Sequence, residues 1–179
     1  ILFGFSSVVT NETAEILGSD LFVSSMIEHG CTLGFYNDFI PIEREDFSSV
    51  PSAEQVAKFK LAVAEFRKTK PIVLVHLPHD EYDRNGRCTA VASGSVHVNA
   101  QGDVEPCPFS HYARENIKHN TFREVLNSPF LKAIREHPTA LQHGTIGCSL
   151  VNNHAILVEI ADVNGASSTN KTIEDSIPI

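Results

Sequence analysis

Apolar positions in the first 77 residues alternate between short continuous runs and helical stripes. The continuous runs, each typical of a buried strand, occupy residues 1–9, 32–36 and 72–75. A helical stripe after the first run is interrupted at Gly18 and ends at Gly30, and a second helix begins at the capping box of Ser52 and Gln55. This alternation is the βαβ pattern, which predicts an α/β fold with a parallel sheet or barrel.

The pattern becomes shorter and more polar after His76. Residues 78–94 are rich in turn formers, and an alternating strand follows at residues 95–99. The turn signal Gln101-Gly102-Asp103 then leads into a second strand at Val104. These features together predict a β-hairpin.

The rest of the chain predicts a helix, a strand and a tail. A capping box of Thr121 and Glu124 begins the helix, which we expect to break at Ser128-Pro129. An apolar run predicts a final strand at residues 155–160, and the polar residues from Asn164 onward have the composition of a disordered segment.

The expected domain organisation follows from this change of pattern. Residues 1–80 form the first domain, residues 85–162 a smaller α+β domain, and residues 163–179 a flexible tail. The chain lacks an initiator Met and begins within an apolar strand-like run, so we expect a C-terminal part of a longer protein.

Charge and hydropathy exclude several classes of function. The 179 residues include 14 basic and 22 acidic side chains, and the net charge of -8 argues against nucleic-acid binding. Neither an apolar run of transmembrane length nor a signal peptide is recognisable, which argues against a membrane partner and favours a cytoplasmic location. Four cysteines in such a chain indicate metal ligands, catalytic thiols or buried apolar residues before disulfides.

Three of the cysteines are candidate ligands of one metal centre. Cys88 precedes the predicted hairpin, Cys107 follows it, and Cys148 follows the predicted helix, so all three can converge at the open end of the hairpin. The spacing alone also allows buried core residues, but the prolines on both sides of Cys107 favour a rigid turn. Cys31 lies at a helix-to-strand junction and is interpreted as a buried apolar residue.

The order of these features resembles the auxiliary-cluster region of radical SAM enzymes of the SPASM and twitch type. The resemblance runs through Cys88, Gly94, the strand at residues 96–99, the Gly102-Asp103 turn and Pro106-Cys107, and Gly147-Cys148 falls where later ligands are expected. It implies an auxiliary [4Fe–4S] cluster on Cys88, Cys107 and Cys148. Three cysteines are closer to a single-cluster twitch domain, whose fourth position is open, filled by a non-cysteine residue or supplied by substrate.

By the same resemblance, residues 1–77 are similar to the last half of the partial, TIM-like (β/α)6 barrel that holds S-adenosyl-L-methionine (SAM). Ser6, Ser7 and Asn11 are then candidate SAM-binding residues, or else ordinary strand and capping residues. The family's C-x3-C-x2-C loop is absent, so this chain alone is not expected to cleave SAM. The resemblance implies a parent enzyme of the oxidoreductase or maturase type, acting on a peptide or small molecule with an electron donor as partner.

Two non-radical alternatives remain open at this point. A zinc ion on three cysteines and one histidine gives a non-catalytic binding domain, with His97 or His111 as the histidine or as neighbours of the ligands. A metal-dependent hydrolase is the other alternative, and its ligands are His76, His79 and Asp80 in the polar loop that extends to Asp83. The same loop is also compatible with a solvated acidic segment.

Overall fold

A computed structural model describes residues 1–41, 44–144 and 147–170, without the side chains of residues 44 and 45. The chain divides into a first unit of Ile1–Pro41 with Glu45–Asp80 and a second unit formed chiefly by the residues from Glu81 onward. The fold is mixed α/β, with a parallel three-stranded sheet in the first unit.

The sheet of the first unit contains three parallel strands in the order β1-β2-β3. Its strands are β1 (Gly4–Val9), β2 (Leu33–Asp38) and β3 (Val73–Leu77). The connections contain α1 (Ala14–Leu17) and α2 (Asp20–Glu28), a 3-10 segment (Arg44–Ser49), and α3 (Ala53–Thr69). The predicted order of strands and helices, the helix interruption at Gly18 and the capping box of Ser52 and Gln55 are confirmed. Three strands do not establish the predicted partial barrel.

One face of this sheet carries the core of the first unit. The Tyr36 ring packs edge-on against Phe5 and Phe59 at centroid distances of 5.3 and 5.0 Å, and its hydroxyl donates to the Leu17 carbonyl at 3.1 Å. Cys31 is buried within the same core, which confirms its interpretation as an apolar residue. The opposite face is more open, since Val8 and Val73 are exposed.

The second unit is built from strands of two residues and helices of four to eleven residues. Its elements are α4 (Thr89–Ala92), β4 (His97–Val98), β5 (Val104–Glu105), β6 (Tyr112–Ala113), α5 (Phe122–Leu126), α6 (Pro129–Glu136), α7 (Ser149–Asn152), α8 (His154–Asn164) and β7 (Ser167–Ser168). A 3-10 turn (His79–Glu81) precedes them. The buried side chains of Phe130, Ile134 and Leu157, on α6 and α8, contribute to its core.

The predicted hairpin is present as the antiparallel pair β4–β5, with His97 opposite Glu105. Gly102 has a φ of +92°, a left-handed conformation that favours glycine in the turn. The capping box of Thr121 and Glu124 is formed, and the predicted break at Ser128-Pro129 separates α5 from α6.

The strand predicted at residues 155–160 is wrong, because this segment lies within α8. Its buried residues Leu157, Ile160 and Ala161 follow helical spacing, and a short apolar run does not distinguish a strand from a buried helix. In the expected tail, Ser167 and Ser168 form β7, which pairs with β6, and residues 171–179 lie outside the described residues. No helix in the described ranges is long and apolar enough to cross a membrane.

Candidate metal centres

The second unit brings Cys88, Cys107 and Cys148 together. Cys88 caps the N-terminus of α4, Cys148 caps that of α7, and Cys107 begins a turn closed by the Ser110 N–H donating to the Cys107 carbonyl at 3.1 Å. The Cys107 and Cys148 thiols share a hydrogen bond, and Cys88 is close enough to interact electrostatically with both. The predicted convergence of the three cysteines is therefore present in the fold.

Backbone N–H groups point at all three sulfurs. The donors belong to Ala90 and Val91 for Cys88, to Phe109 for Cys107, and to Leu150 and Val151 for Cys148, and each of them lowers the pKa of its thiol. In every case the donor lies two or three residues after the cysteine, because a tight turn or a helix begins there. Such donors stabilise a negatively charged sulfur, whether as a thiolate or as a metal ligand.

The thiols differ in how readily they lose a proton. Hydrogen bonding to Cys148 and burial raise the pKa of Cys107, whereas the bond donated by Cys107 lowers the pKa of Cys148. Burial raises the pKa of Cys88 despite its two N–H donors. Cys148 is therefore the readier of the two to lose its proton, as a metal ligand must.

Glu81 and Tyr82 flank the cysteines, although neither was among the predicted ligands. The Tyr82 hydroxyl donates to the Gly147 carbonyl at 2.7 Å, and Tyr82 forms a β-bridge with Cys88. Glu81 interacts electrostatically with Cys88 and Cys148, and burial raises the pKa of its carboxyl. Both precede Cys88 in the loop that the sequence marked only as polar, so their spacing carried no metal-ligand signal.

The three cysteines fit an iron–sulfur cluster better than one zinc ion. Cys88 and Cys148 are 8% and 7% exposed, as suits thiolate ligands shielded from water. Across the described ranges, only Asp38, His76 and His79 bring ligand atoms all within 4.8 Å of one another, so at least one pair of the three sulfurs is more widely spaced, although Cys107 and Cys148 share a hydrogen bond. A tetrahedral zinc ion with bonds of about 2.3 Å would hold its sulfurs about 3.8 Å apart. A cluster distributes its cysteines over separate iron atoms and accepts a wider spacing.

His97 and His111 lie beside Glu105. Their ring nitrogens are 3.9 and 3.7 Å from the carboxylate oxygens of Glu105, whose side chain is 1% exposed. Glu105 also accepts hydrogen bonds from Asn99 and Thr169. These histidines, predicted as neighbours of the cysteine site or as its fourth ligand, thus have a carboxylate partner.

A second cluster of ligand-type side chains lies in the first unit. Asp38 is the last residue of β2, and its two carboxylate oxygens lie 2.7 Å from Nε2 of His76 and Nε2 of His79. The prediction that Asp80 joins the two histidines is wrong. The Asp80 carboxylate instead pairs with Arg67 at 2.5 Å and accepts a hydrogen bond from the His76 backbone N–H at 2.7 Å.

Strand register explains why Asp38 takes the expected place of Asp80. Tyr36 pairs with His76, so residues that follow them along β2 and β3 meet at the carboxyl edge of the sheet. Burial acts to raise the pKa of Asp38, but hydrogen bonds from both histidines outweigh it and lower that pKa to about 2. Burial lowers the pKa of His79, which favours its neutral, metal-binding form.

The three candidate SAM-binding residues have different surroundings. Ser6 accepts a hydrogen bond from Asn37 Nδ2 at 3.1 Å on the open face of the sheet. Ser7 points to the opposite, core face, because neighbouring strand residues alternate. The Asn11 side chain donates to the Ser48 carbonyl at 2.7 Å, which ties down the loop after β1.

Comparison with known proteins gives one match, which lies in the second unit. Residues 88–149 match the family model described as SPASM, an iron–sulfur cluster-binding domain. No curated protein and no solved structure shows significant similarity to the chain. The segment that matches this iron–sulfur cluster-binding domain includes Cys88, Cys107 and Cys148.

Proposed function

We propose that the second unit holds one auxiliary [4Fe–4S] cluster through Cys88, Cys107 and Cys148, within a radical SAM enzyme. The observation that carries this proposal is the set of three neighbouring thiols, each with backbone N–H donors aimed at its sulfur. The match of residues 88–149 to an iron–sulfur cluster-binding domain supports the same ligands. When bound, such a cluster would bind substrate or pass an electron.

The chain's own residues prepare this site in three ways. The N–H donors stabilise anionic sulfur, and burial limits hydrolysis of iron–sulfur bonds by water. The Tyr82 hydroxyl donates a hydrogen bond to the Gly147 carbonyl, and this bond positions the backbone immediately before Cys148.

Glu81 is our candidate for a non-cysteine ligand at the fourth position. It lies close enough to interact electrostatically with Cys88 and Cys148, and burial raises the pKa of its own carboxyl. Exchange of Glu81 for Gln should alter the electron paramagnetic resonance spectrum of the reduced cluster while most of the iron is retained. An unchanged spectrum would mean that Glu81 is not a ligand and that solvent or substrate occupies the fourth position of the cluster.

In the parent enzyme, the first unit would supply the last part of the SAM-binding barrel. Its parallel strands have an open face that carries Ser6 and Asn37, and this face would line the interior. Ser6 and Asn11 remain candidate SAM contacts, whereas Ser7 is the weakest of the three because it faces the core. The substrate would be a peptide or small molecule, with an electron donor as a further partner.

Anaerobic reconstitution of the full chain with iron and sulfide tests the cluster proposal. We expect four irons and four sulfides per chain and a broad brown absorption, as a [4Fe–4S] cluster requires. Ser replacement at Cys88, Cys107 or Cys148 should remove most of the iron, whereas Cys31→Ala serves as the matched control because Cys31 lies in the apolar core of the first unit. A colourless chain that carries one thiolate-bound zinc would replace the proposal with the zinc-binding alternative.

A further inference from the structure

A carboxylate and two imidazoles are buried together at the carboxyl end of the sheet in the first unit. The side chains of Asp38, His76 and His79 are 8%, 3% and 9% exposed, and their ligand atoms all lie within 4.8 Å of one another. We propose that these three residues bind one divalent transition-metal ion, best matched by Zn²⁺, at a site separate from the cysteine centre.

The donor set is the first argument for this site. Two imidazole nitrogens and one carboxylate oxygen are a frequent protein ligand set for Zn²⁺, with a fourth position left for water. At bond lengths of about 2.0–2.1 Å, tetrahedral ligand atoms stand about 3.4 Å apart. The present separations of 2.7 Å between Asp38 and each histidine need only a small opening to admit an ion.

The local charge is the second argument. The Asp38 carboxylate is 8% exposed, and each of its two oxygens faces an imidazole nitrogen at 2.7 Å. Lys60 is close enough to Asp38 to interact with it electrostatically. Arg67 is engaged by Asp80. A buried carboxylate is either paired or bound to a metal, and a cation placed between Asp38 and the two imidazole nitrogens would satisfy all three groups.

The third argument is that neighbouring groups hold His76 in place. Its backbone N–H donates to Asp80, which Arg67 fixes in turn, and the Phe59 ring contacts the His76 ring edge-on at a centroid distance of 5.0 Å. Positioning of this kind is typical of metal ligands. Asp38 and His76 also share the core face of the sheet with Tyr36, away from the open face that carries Ser6.

Cobalt binding to the full chain tests the site, because Co²⁺ replaces Zn²⁺ and reports its ligands spectroscopically. The chain is first loaded with iron and sulfide, then dialysed against Co²⁺ and analysed for cobalt and for visible absorption. We expect one tightly held Co²⁺ whose spectrum lacks the intense charge-transfer band of a cobalt thiolate. If the cysteines remain free of iron, cobalt bound to them would show that band, so the two sites stay distinguishable.

Two variants and one control assign the ligands. Asp38→Asn and His79→Gln should each weaken the affinity for Co²⁺ by at least about tenfold. His29→Ala, an exposed histidine on the same unit, should leave it unchanged. Circular dichroism shows whether each variant is folded, and one folded variant of the two is sufficient. A folded wild-type chain without nitrogen- and oxygen-ligated cobalt, or ligand variants with wild-type affinity, would overturn the proposal and leave a purely hydrogen-bonded Asp–His–His cluster.

Discussion

The two units use opposite means to position their ligand-type residues. In the first unit, strands of six, six and five residues and an apolar core set Asp38 beside the two histidines. In the second unit, the cysteines lie near strands of two residues, and Cys88 and Cys148 cap helices of four while Cys107 begins a turn. Such short elements bury little area by themselves, so a bound metal can contribute a large part of the folding free energy there. We therefore expect the first unit to fold without metal and the second to depend on it.

Removal of the cluster should produce the largest effect. Chelation of iron under reducing conditions should raise amide hydrogen exchange around Cys88, Cys107 and Cys148 by at least about a hundredfold, as bound metal stabilises only the folded state. Amides of β1, β2 and β3 should keep their protection. Hydrogen exchange measured by mass spectrometry on the full chain checks this, and equal protection in both units after chelation would contradict the comparison.

The converse experiment weakens the first unit alone. Phe59 is 3% exposed and packs against Tyr36, so Phe59→Ala should cost about 3–5 kcal/mol of that unit's stability. The iron content of the second unit should not change. Leu61→Ala is the matched control, because Leu61 lies on the same helix and is 74% exposed. Chemical denaturation followed by hydrogen exchange separates the two units.

The sequence predicted long elements and local motifs better than distant contacts. Both capping boxes, the Gly18 interruption and the break at Ser128-Pro129 depend on residues a few positions apart, and all are confirmed. The helix α8 was mistaken for a strand because its apolar run is short and its partner α6 lies far along the chain. Periodicity alone cannot supply that packing partner.

The candidate sites show the same difference between local motifs, which the sequence predicts, and distant contacts, which it does not. The three cysteines could be found because a rigid hairpin separates the first two, and turn residues specify hairpins locally. Asp38 was missed because only the pairing of Tyr36 with His76 brings it close to the two histidines. The residues of one short segment do not specify which strand pairs with which. A carboxylate ending the neighbouring parallel strand was the available signal, since carboxyl ends of parallel strands meet at one edge.

Removal of a hydroxyl from one tyrosine in each unit allows the effects on the stability of the two units to be compared directly. Tyr36→Phe and Tyr82→Phe each leave one carbonyl, of Leu17 or of Gly147, without its hydroxyl donor. We expect losses of about 1–3 kcal/mol in each unit. Tyr82→Phe should also release iron faster on dilution, because the Gly147 carbonyl immediately precedes Cys148. Equal rates of iron release in the two variants would show that Tyr82 does not position the cysteine.

Acid should distinguish the two capping boxes, because only the box of Thr121 and Glu124 contains a carboxyl group. In the first unit, Gln55 accepts the Ser52 N–H at 2.9 Å and cannot titrate near pH 4, whereas in the second Glu124 accepts the Thr121 N–H at 2.7 Å. That N–H and the Thr121 hydroxyl lower the pKa of Glu124 below its ordinary value of 4.5. The capping box of Thr121 and Glu124 therefore makes its full contribution to the free energy of unfolding above pH 4.5. That contribution is lost as pH falls through the lower pKa of Glu124 in the folded state.

The test compares wild type with Glu124→Gln by thermal denaturation between pH 6 and pH 3. The variant keeps an acceptor at the same position but cannot be protonated, so the stability difference between the two chains should shift in favour of the variant as pH falls. Acid loss of the cluster affects both chains and cancels in that difference. Gln55→Glu in the first unit should introduce the missing pH dependence there. A constant difference at all pH values would mean that Glu124 titrates alike in the folded and unfolded chain.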